Sequence, residues 1–356
     1  MKITFVMAHA DMSGGTRVIA THARQLMNRG HEVLVISTPP ARRGLRARAT
    51  DLLGLQKTTP EPSHFDGCDL PHHVLARFRP VTDVDVPDGD AVIATWWETA
   101  PWVANLSSSK GAKAYLLQHY ETWGGDPEKV DATWRLPLHK IVISRWLAGL
   151  AREKFGDSNF SLVPNAVDTQ LFHAPLRSKQ AIPTIGMMYS TTPFKGCDIG
   201  LAAIAQARRT IPNLRLVAFG NEPPAEHMPL PTETDYTLRP PQEKIRDIYA
   251  RCDAWLVASR SEGFGLPILE AMACRTPVIS TPAGAAPELL EGGGGILVRP
   301  EDAEDMAAAI ARIVGMLGQE WQGMSDTAVS RASRYSWEDA GVLMEKALVT
   351  ANKAGF

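Results

Sequence analysis

The stretch from Ser259 to Cys274 constrains this chain more than any other segment, because it combines a glycine loop, a helix start and two carboxylates. A short apolar run at 254–257 precedes it and is typical of a buried parallel strand, and Pro267 suits the first turn of a helix. The pattern therefore predicts a strand, a loop and a helix. Because glycines permit close backbone approach, the amides of the loop and of the helix start can bind a diphosphate.

Two glutamates flank the predicted helix start. Glu262 precedes the helix and Glu270 lies about one turn inside it, so the two carboxylates can reach opposite ends of one ligand. One end of that ligand would be a sugar and the other a ribose. The alternative without a ligand is a helix N-terminus at which Glu262 is a solvated capping residue.

This segment resembles the retaining glycosyltransferases of family 4, whose signature is glutamate, seven residues, glutamate, here Glu262 to Glu270. The chain departs from the family at Arg275 and at Ala166, where relatives usually have glycine. The resemblance implies an α/β protein of the GT-B fold, with two Rossmann-like domains facing a cleft. It also implies metal-independent transfer of a sugar, without a cofactor, from a nucleotide diphosphate sugar to a glycan, glycolipid or small-molecule acceptor.

The resemblance assigns roles to individual residues. It implies that Glu270 binds the ribose, that Glu262 and the loop amides bind the sugar, and that Lys195 binds the diphosphate. His119 would contact the sugar from across the cleft, and the leaving phosphate would accept the proton of the acceptor during same-face attack. The implied catalytic residues are His119, Lys195 and Glu262, and the implied donor-binding residues are Gly15, Arg17, Lys195, Gly263, Phe264, Gly265, Leu266 and Glu270.

A second departure lies after Gly186. Many relatives have an arginine there, paired with the lysine that Lys195 matches, and this chain keeps only the lysine. One lysine offsets less of the negative charge that develops on the leaving phosphate than two cations do. We expect Arg17, in the first turn of a predicted helix, to supply the second cation, with Arg260 as the alternative.

The length of 356 residues suits two domains with a core each. Residues 3–7 and 32–36 are predicted strands on either side of a helix that ends at Gly30, which is a βαβ unit of a Rossmann-like sheet. Further strands are predicted at 91–94 and 141–144, and a helix is predicted at 145–155. A second βα series opens at Thr184. We therefore predict an acceptor domain at 1–172, a donor domain at 173–335, and a terminal helix at 336–356 that returns to the first domain.

Polar and aromatic residues end two predicted strands of the first domain. Ligands of open parallel sheets lie outside the carboxyl ends of the strands, so Trp96, Trp97 and Glu98 are the acceptor-side candidates. With Trp123, the tryptophans could form a platform for a sugar ring. Packing of these aromatic rings in the wall of the cleft is an equally open alternative.

Charge and composition exclude several classes of protein. The formal net charge is -2, whereas a dedicated nucleic-acid binder is strongly basic. No apolar run approaches the roughly 20 residues of a membrane span, and Met1 leads directly into a strand, so we expect a cytoplasmic protein. The four cysteines lack CxxC spacing, which predicts free, mostly buried thiols and no zinc site.

A basic cluster precedes Leu52 and Leu53. Its members are Arg42, Arg43, Arg46 and Arg48. Such a cluster could touch an anionic or lipid-linked acceptor and give a peripheral contact with the inner membrane face. A solvated helix is the interpretation we favour, because four arginines make only a modest patch.

The run Asp83-Val84-Asp85 mimics the DxD metal motif of another glycosyltransferase fold class. It belongs to an acidic turn before a strand, and turn chemistry accounts for its residues. We therefore expect no metal site there.

Two rival functions stay open. A nucleotide-sugar epimerase of the same build would need further acid and base groups and would release nucleoside diphosphate without sugar transfer. A noncatalytic nucleotide-sugar binding module would bind the donor without hydrolysis or transfer, and the missing arginine favours that rival.

Overall fold

The computed structural model describes residues 1–40 and 62–356, so the basic cluster with Leu52 and Leu53 lies outside the described residues. The chain divides into two units, Met1–Pro164 with Trp337–Phe356, and Asn165–Ser336. The sequence-based division puts residues 165–172 in the first domain, whereas here they belong to the second unit. Among the described helices, none is both long and apolar enough to cross a membrane.

The first unit is built on a parallel sheet with the order β3-β2-β1-β4-β5-β6-β7 over the described chain. The strands are β1 Lys2–Met7, β2 Glu32–Ser37, β3 His72–Val74, β4 Ala91–Ala94, β5 Ala112–Leu117, β6 His139–Val142 and β7 Phe160–Leu162. The helices that follow these strands are α1 Gly14–Asn28, α2 Thr99–Ala104, α3 Pro127–Trp134 and α4 Arg145–Phe155. The strand order reverses between β1 and β4, which makes that point the expected ligand position of this sheet.

The second unit repeats this order as β10-β9-β8-β11-β12-β13, again all parallel. The strands are β8 Thr184–Tyr189, β9 Arg215–Gly220, β10 Asp235–Leu238, β11 Ala254–Val257, β12 Val278–Ser280 and β13 Gly295–Leu297. The helices are α5 Cys197–Ala207, α6 Gln242–Ala250, α7 Leu266–Ala273, α8 Ala286–Leu289, α9 Ala303–Gly315 and α10 Gly318–Ala332. Here the order reverses between β8 and β11, so the loops after these two strands meet at the switch point.

The segment predicted to cross between the domains, 175–183, is tied to the second unit. Arg177 Nη2 donates to the carbonyl of Cys252 at 2.6 Å and to Thr276 Oγ1 at 2.7 Å. Its guanidinium also lies over the ring of Trp321, 4.8 Å from the centroid. The cysteines are free thiols, as predicted, and burial raises the pKa of Cys252 to about 12.

The turn that follows helix α7 contains a left-handed residue, Arg275, with φ of +61°. The amide of Arg275 donates to the carbonyl of Met272 at 3.0 Å, and that of Thr276 to Ala271 at 2.9 Å. A side chain in this conformation costs about 1–2 kcal/mol, which is the physical reason that glycine suits the position. Ala166 has no positive φ, so alanine is accommodated there.

We expect Arg275→Gly to raise the free energy of unfolding by about 0.5–1 kcal/mol, as measured by urea denaturation. The gain is reduced by the greater freedom of glycine in the unfolded chain and by loss of the ion pair between Arg275 and Asp326. A fall in stability would show that this ion pair outweighs the backbone conformation.

The terminal helix, α11 Trp337–Ala354, belongs to the first unit and packs against α1. The ring of Trp337 lies edge-on to that of His22, with centroids 5.4 Å apart. Neither ring nitrogen of His22 has a hydrogen-bond partner among the described residues. Burial lowers the pKa of His22 to about 4, so the folded protein holds this ring neutral.

This histidine makes stability depend on pH. In the unfolded chain His22 takes up a proton near pH 6.5, whereas the folded protein keeps the ring neutral down to about pH 4. The stability that the neutral ring contributes to the fold is therefore complete above pH 6.5 and is lost as pH falls toward 4. The loss is about 1.4 kcal/mol for each pH unit in this window. We expect the melting temperature of the wild type to fall more between pH 7 and pH 5 than that of His22→Leu in calorimetry. If the melting temperatures of the two proteins fell equally between pH 7 and pH 5, the assignment of a neutral ring to folded His22 would be wrong.

Candidate active site

Two loops of the second unit are hydrogen-bonded to each other at the switch point of its sheet. They follow β8 and β11. The carbonyl of Phe194, in the first loop, accepts the amides of Arg260 at 2.8 Å and Ser261 at 3.3 Å, in the second. These bonds place the Lys195 side chain beside the glutamate that opens the signature.

Gly196 fixes the backbone on which Lys195 sits. Its φ is +62°, and a Cβ at this position would lie 1.9 Å from the carbonyl oxygen of Ala258. Because both the conformation and the contact exclude a side chain, the sequence Lys-Gly is a steric requirement of this loop.

Lys195, Glu262 and Ser259 form a compact polar group. Lys195 Nζ lies 2.8 Å from Glu262 Oε1, and Ser259 Oγ donates to the same oxygen at 2.8 Å. The side chains of Lys195 and Glu262 are 25% and 12% exposed, so this ion pair is partly shielded from water. Its two charges are therefore available to a ligand only after the pair exchanges partners.

The glycine loop of the signature has one left-handed residue. Gly265 precedes α7 with φ of +96°, whereas Gly263 has no positive φ. Phe264 is buried and packs edge-on against Tyr335 at 6.1 Å. Pro267 lies in the first turn of α7, as predicted, and Leu266 begins that helix.

Glu270 is 5% exposed on α7 and accepts a hydrogen bond from the hydroxyl of Tyr249 at 2.9 Å. Tyr249 lies on the buried face of α6. Sequence reasoning missed this tyrosine, because a tyrosine on the apolar face of an amphipathic helix has the pattern of a core residue.

Arg260 is held by two carboxylates. It makes a bidentate contact with Asp198 at 2.9 and 2.8 Å, and its Nε lies 2.6 Å from Glu301. These contacts raise the pKa of Arg260 further above its ordinary value. A phosphate would have to displace both carboxylates, which argues against Arg260 as the second cation.

Glu222, after β9, holds the loop that carries Lys195. Its Oε1 accepts the amide of Thr191 at 2.6 Å and the Thr191 hydroxyl at 2.8 Å. These bonds lower the pKa of Glu222. Sequence reasoning missed this glutamate, since contact with Thr191 depends on β8 and β9 being neighbours in the sheet.

In the first unit, an aromatic cluster surrounds His119 at the end of β5. Trp123 Nε1 donates to His119 Nδ1 at 3.2 Å, and the His119 ring lies 6.0 Å from that of Trp123 and 6.2 Å from that of Trp146. Trp96 meets Trp123 at 5.5 Å. Trp123 is 52% exposed, so this cluster presents indole surface to solvent, and its role as a sugar platform stays a prediction.

Trp96 and Trp97 each pack against a glycine, Gly124 and Gly125. A Cβ on Gly125 would lie 2.5 Å from the Trp97 ring, and Trp97 Nε1 is buried without a partner in the described chain. The Trp97 amide donates to Glu121 Oε2 at 2.8 Å. This arrangement favours a packing role for the Trp97 ring over a sugar platform. Glu98 directly precedes α2, and its side chain does not cap that helix.

Glu121 is a buried acid that sequence reasoning did not single out. It is 2% exposed, and Tyr115 Oη lies 3.5 Å from its Oε2. Burial raises the pKa of Glu121 well above its ordinary value, so the folded protein favours its neutral form.

Gly15 and Arg17 lie in the first turns of α1. A Cβ at Gly15 would make only ordinary contacts, at 3.8 Å or more from Gln118 and Ser13, so packing does not require glycine there. Arg17 is half-buried. Its role in phosphate binding stays a prediction.

The two carboxylates of the run Asp83-Val84-Asp85 each make contacts within the folded protein. Asp85 makes a bidentate pair with Arg79 at 2.6 Å, and Asp83 accepts the amide of Ser107 at 2.8 Å. Asp83 and Asp85 thus serve separate contacts, which supports the turn interpretation. Within residues 1–40 and 62–356, no group of three or more potential metal ligands is brought together.

Comparison with protein families gives a match to most of the second unit. Residues 179–315 match the family described as glycosyl transferases group 1. The D-inositol 3-phosphate glycosyltransferase of Segniliparus rotundus is 29% identical over 294 residues, 76% of this chain and 59% of that protein. A phosphatidylinositol N-acetylglucosaminyltransferase component of Arabidopsis thaliana is 28% identical over 54% of this chain and 45% of its own length. The chain thus spans about half the length of each of these relatives.

Solved structures agree with the whole fold. Sucrose-phosphate synthase from Thermosynechococcus elongatus superposes with a TM-score of 0.75 at 18% identity, over 97% of this chain and 98% of its own. HepE of Anabaena, solved in complex with UDP and glucose, gives 0.72 at 18% identity, over 98% and 99%. The predicted fold class is confirmed. Residues 179–315 therefore match the group 1 glycosyltransferases, and the chain as a whole has the GT-B fold, in agreement with its resemblance to the retaining glycosyltransferases of family 4.

Proposed function

We propose that this chain is a retaining glycosyltransferase that uses a nucleotide diphosphate sugar. The observation that supports this most directly is the shielded contact of Lys195 with Glu262 at 2.8 Å, at the switch point of the second sheet and next to the start of α7. A cation for the diphosphate and a carboxylate for a sugar hydroxyl are thus held together before the donor arrives. The helix start adds backbone amides that favour phosphate.

In this proposal each residue acts on a different part of the donor. Lys195 exchanges Glu262 for the diphosphate and offsets the charge that develops as the sugar leaves. Glu262 then accepts a sugar hydroxyl, while Glu270, oriented by Tyr249, accepts the ribose hydroxyls. His119 contacts the sugar, and the departing phosphate takes the proton of the acceptor.

The names of the relatives narrow the donors and acceptors worth testing. HepE is described in complex with UDP-glucose, so a UDP-sugar is our first choice of donor. Two curated relatives are named for inositol 3-phosphate and phosphatidylinositol. Inositol phosphates and phosphatidylinositol vesicles are therefore acceptors to test beside glycans and small aglycones, and vesicles also test the expected peripheral membrane contact.

A thermal-shift screen against UDP-, GDP- and ADP-sugars tests the proposal, because a ligand at 100 times its Kd stabilises the folded form by about 2.7 kcal/mol. The donor that shifts the melting temperature is then assayed for nucleoside diphosphate release and sugar transfer, with and without EDTA. We expect sugar transfer to continue in the presence of EDTA, because Lys195 and the backbone amides offset the negative charge of the diphosphate. Binding without turnover would favour the binding module, and release of diphosphate without transfer would favour the epimerase.

The role of Arg17 is tested against a control on the same helix. If Arg17 is the second cation, Arg17→Ala should lower the transfer rate about tenfold or more, because phosphate charge is less neutralised in the transition state. Arg24, exposed on α1, is the matched control. Rates are compared at equal folded concentration. Equal losses in the two variants would leave Lys195 and the amides as the whole phosphate site.

A further inference from the structure

Ser259 is buried, at 4% exposure, three residues before the glutamate that opens the signature. We propose that Ser259 is a positioning residue for Glu262, which keeps the carboxylate oriented after Lys195 has moved to the donor. This inference rests on the proposed function and concerns the same site. The inference is based on the two contacts that Glu262 Oε1 makes, with Ser259 and with Lys195.

Two hydrogen-bond donors share a single carboxylate oxygen before the sugar nucleotide binds. Ser259 Oγ and Lys195 Nζ each lie 2.8 Å from Glu262 Oε1. When Lys195 turns to a diphosphate, Glu262 loses its cation, and the hydroxyl of Ser259 remains as a donor to it. A carboxylate with one fixed hydrogen bond through Oε1 keeps Oε2 directed at a ligand.

The serine itself is fixed from the neighbouring strand. Thr281, at the end of β12 and 2% exposed, donates its hydroxyl to the carbonyl of Ser259, and its amide to that of Val257 at 3.0 Å. Gly284 packs closely against Glu262, because a Cβ on this glycine would be 2.8 Å from the Glu262 carbonyl oxygen. The backbone near the carboxylate is therefore fixed by these contacts, and once Lys195 has turned to the donor the Ser259 hydroxyl still directs the Glu262 side chain.

The test compares Ser259→Ala with Ser325→Ala. Ser325 is a fully buried serine of α10 that donates to the carbonyl of Arg275 at 2.9 Å, so it reports the cost of deleting a buried hydroxyl elsewhere in the unit. Both variants are made in the wild type and in a Glu262→Gln background. Turnover is followed as UDP release from UDP-glucose, or with the donor selected by the thermal screen, and the affinity for the free nucleoside diphosphate is measured by calorimetry.

We expect Ser259→Ala to lower kcat about tenfold in the wild type and less than twofold in the Glu262→Gln background, because the serine acts through the carboxylate. Nucleoside diphosphate affinity should change less than twofold. Losses equal to those of Ser325→Ala, or equal losses in both backgrounds, would overturn the proposal. A wild type that releases no nucleoside diphosphate from any donor it binds would overturn the proposed function, and this inference with it.

Discussion

Replacement of Glu262 by glutamine is expected to lower turnover by about 100-fold or more with little effect on the affinity for free nucleoside diphosphate. The variant keeps the size of the side chain and an oxygen for Ser259, but it removes the charge that pairs with Lys195. In the proposed function the same charge strengthens the hydrogen bond to a sugar hydroxyl. Steady-state kinetics and calorimetric titration with UDP measure the two effects. Glu304→Gln, at an exposed position on α9, is the control.

Glu270→Ala should have the opposite distribution of effects. If Glu270 binds the ribose as proposed, its loss removes hydrogen bonds worth on the order of 1.5–3 kcal/mol each, and it leaves the hydroxyl of Tyr249 without this acceptor. We expect nucleoside diphosphate affinity to fall about tenfold or more, and turnover at saturating donor to fall less than in Glu262→Gln. If both variants weakened nucleoside diphosphate binding equally, the division of the donor between these glutamates would be wrong.

Glu121→Gln is expected to stabilise the protein, and the more so the higher the pH. Glutamine resembles the neutral carboxyl and can still accept the amide of Trp97. The folded wild type holds the proton while the unfolded chain releases it above its ordinary pKa of 4.5. The stability contributed by the neutral form is therefore complete below pH 4.5 and is lost as pH rises toward the raised folded pKa, by about 1.4 kcal/mol per pH unit.

Urea denaturation of wild type and Glu121→Gln between pH 5 and pH 8 measures this difference. Glu128→Gln, on the exposed side of α3, is the matched control and should follow the wild type at each pH. A constant gap between Glu121→Gln and wild type across the range would mean that Glu121 is ionised when folded.

Local pattern was enough to predict many of the elements. The helix predicted at 145–155 and the strands predicted at 91–94 and 254–257 have these bounds in the structure, because capping residues and short apolar runs mark their ends. The strand predicted at 141–144 is displaced to His139–Val142. Ser144 instead caps α4 by accepting the amide of Leu147, so a residue assigned to a strand begins a helix.

The signature also placed its carboxylates correctly on either side of a helix start, but it could not show which groups hold them. The contact of Lys195 with Glu262 joins two loops separated by three β-strands and two α-helices along the chain. It depends on β8 lying next to β11 in the sheet. Glu222 meets Thr191 in the same way, because β9 lies next to β8, whereas Tyr249 meets Glu270 through the packing of α6 against α7. Such contacts have no spacing in the sequence, and sheet topology and helix packing are what create them.

The first unit is completed by the last helix of the chain, which has a consequence for the order of folding. During synthesis, residues 1–164 leave the ribosome long before Trp337. Helix α1 therefore lacks the contact between His22 and Trp337 while the whole second unit is made. The second unit is continuous, from Asn165 to Ser336, and can finish folding first. A chain truncated after Ser336 and released from the ribosome should therefore be resistant to protease in its later half and sensitive in its earlier half, the reverse of the order in which the two were translated.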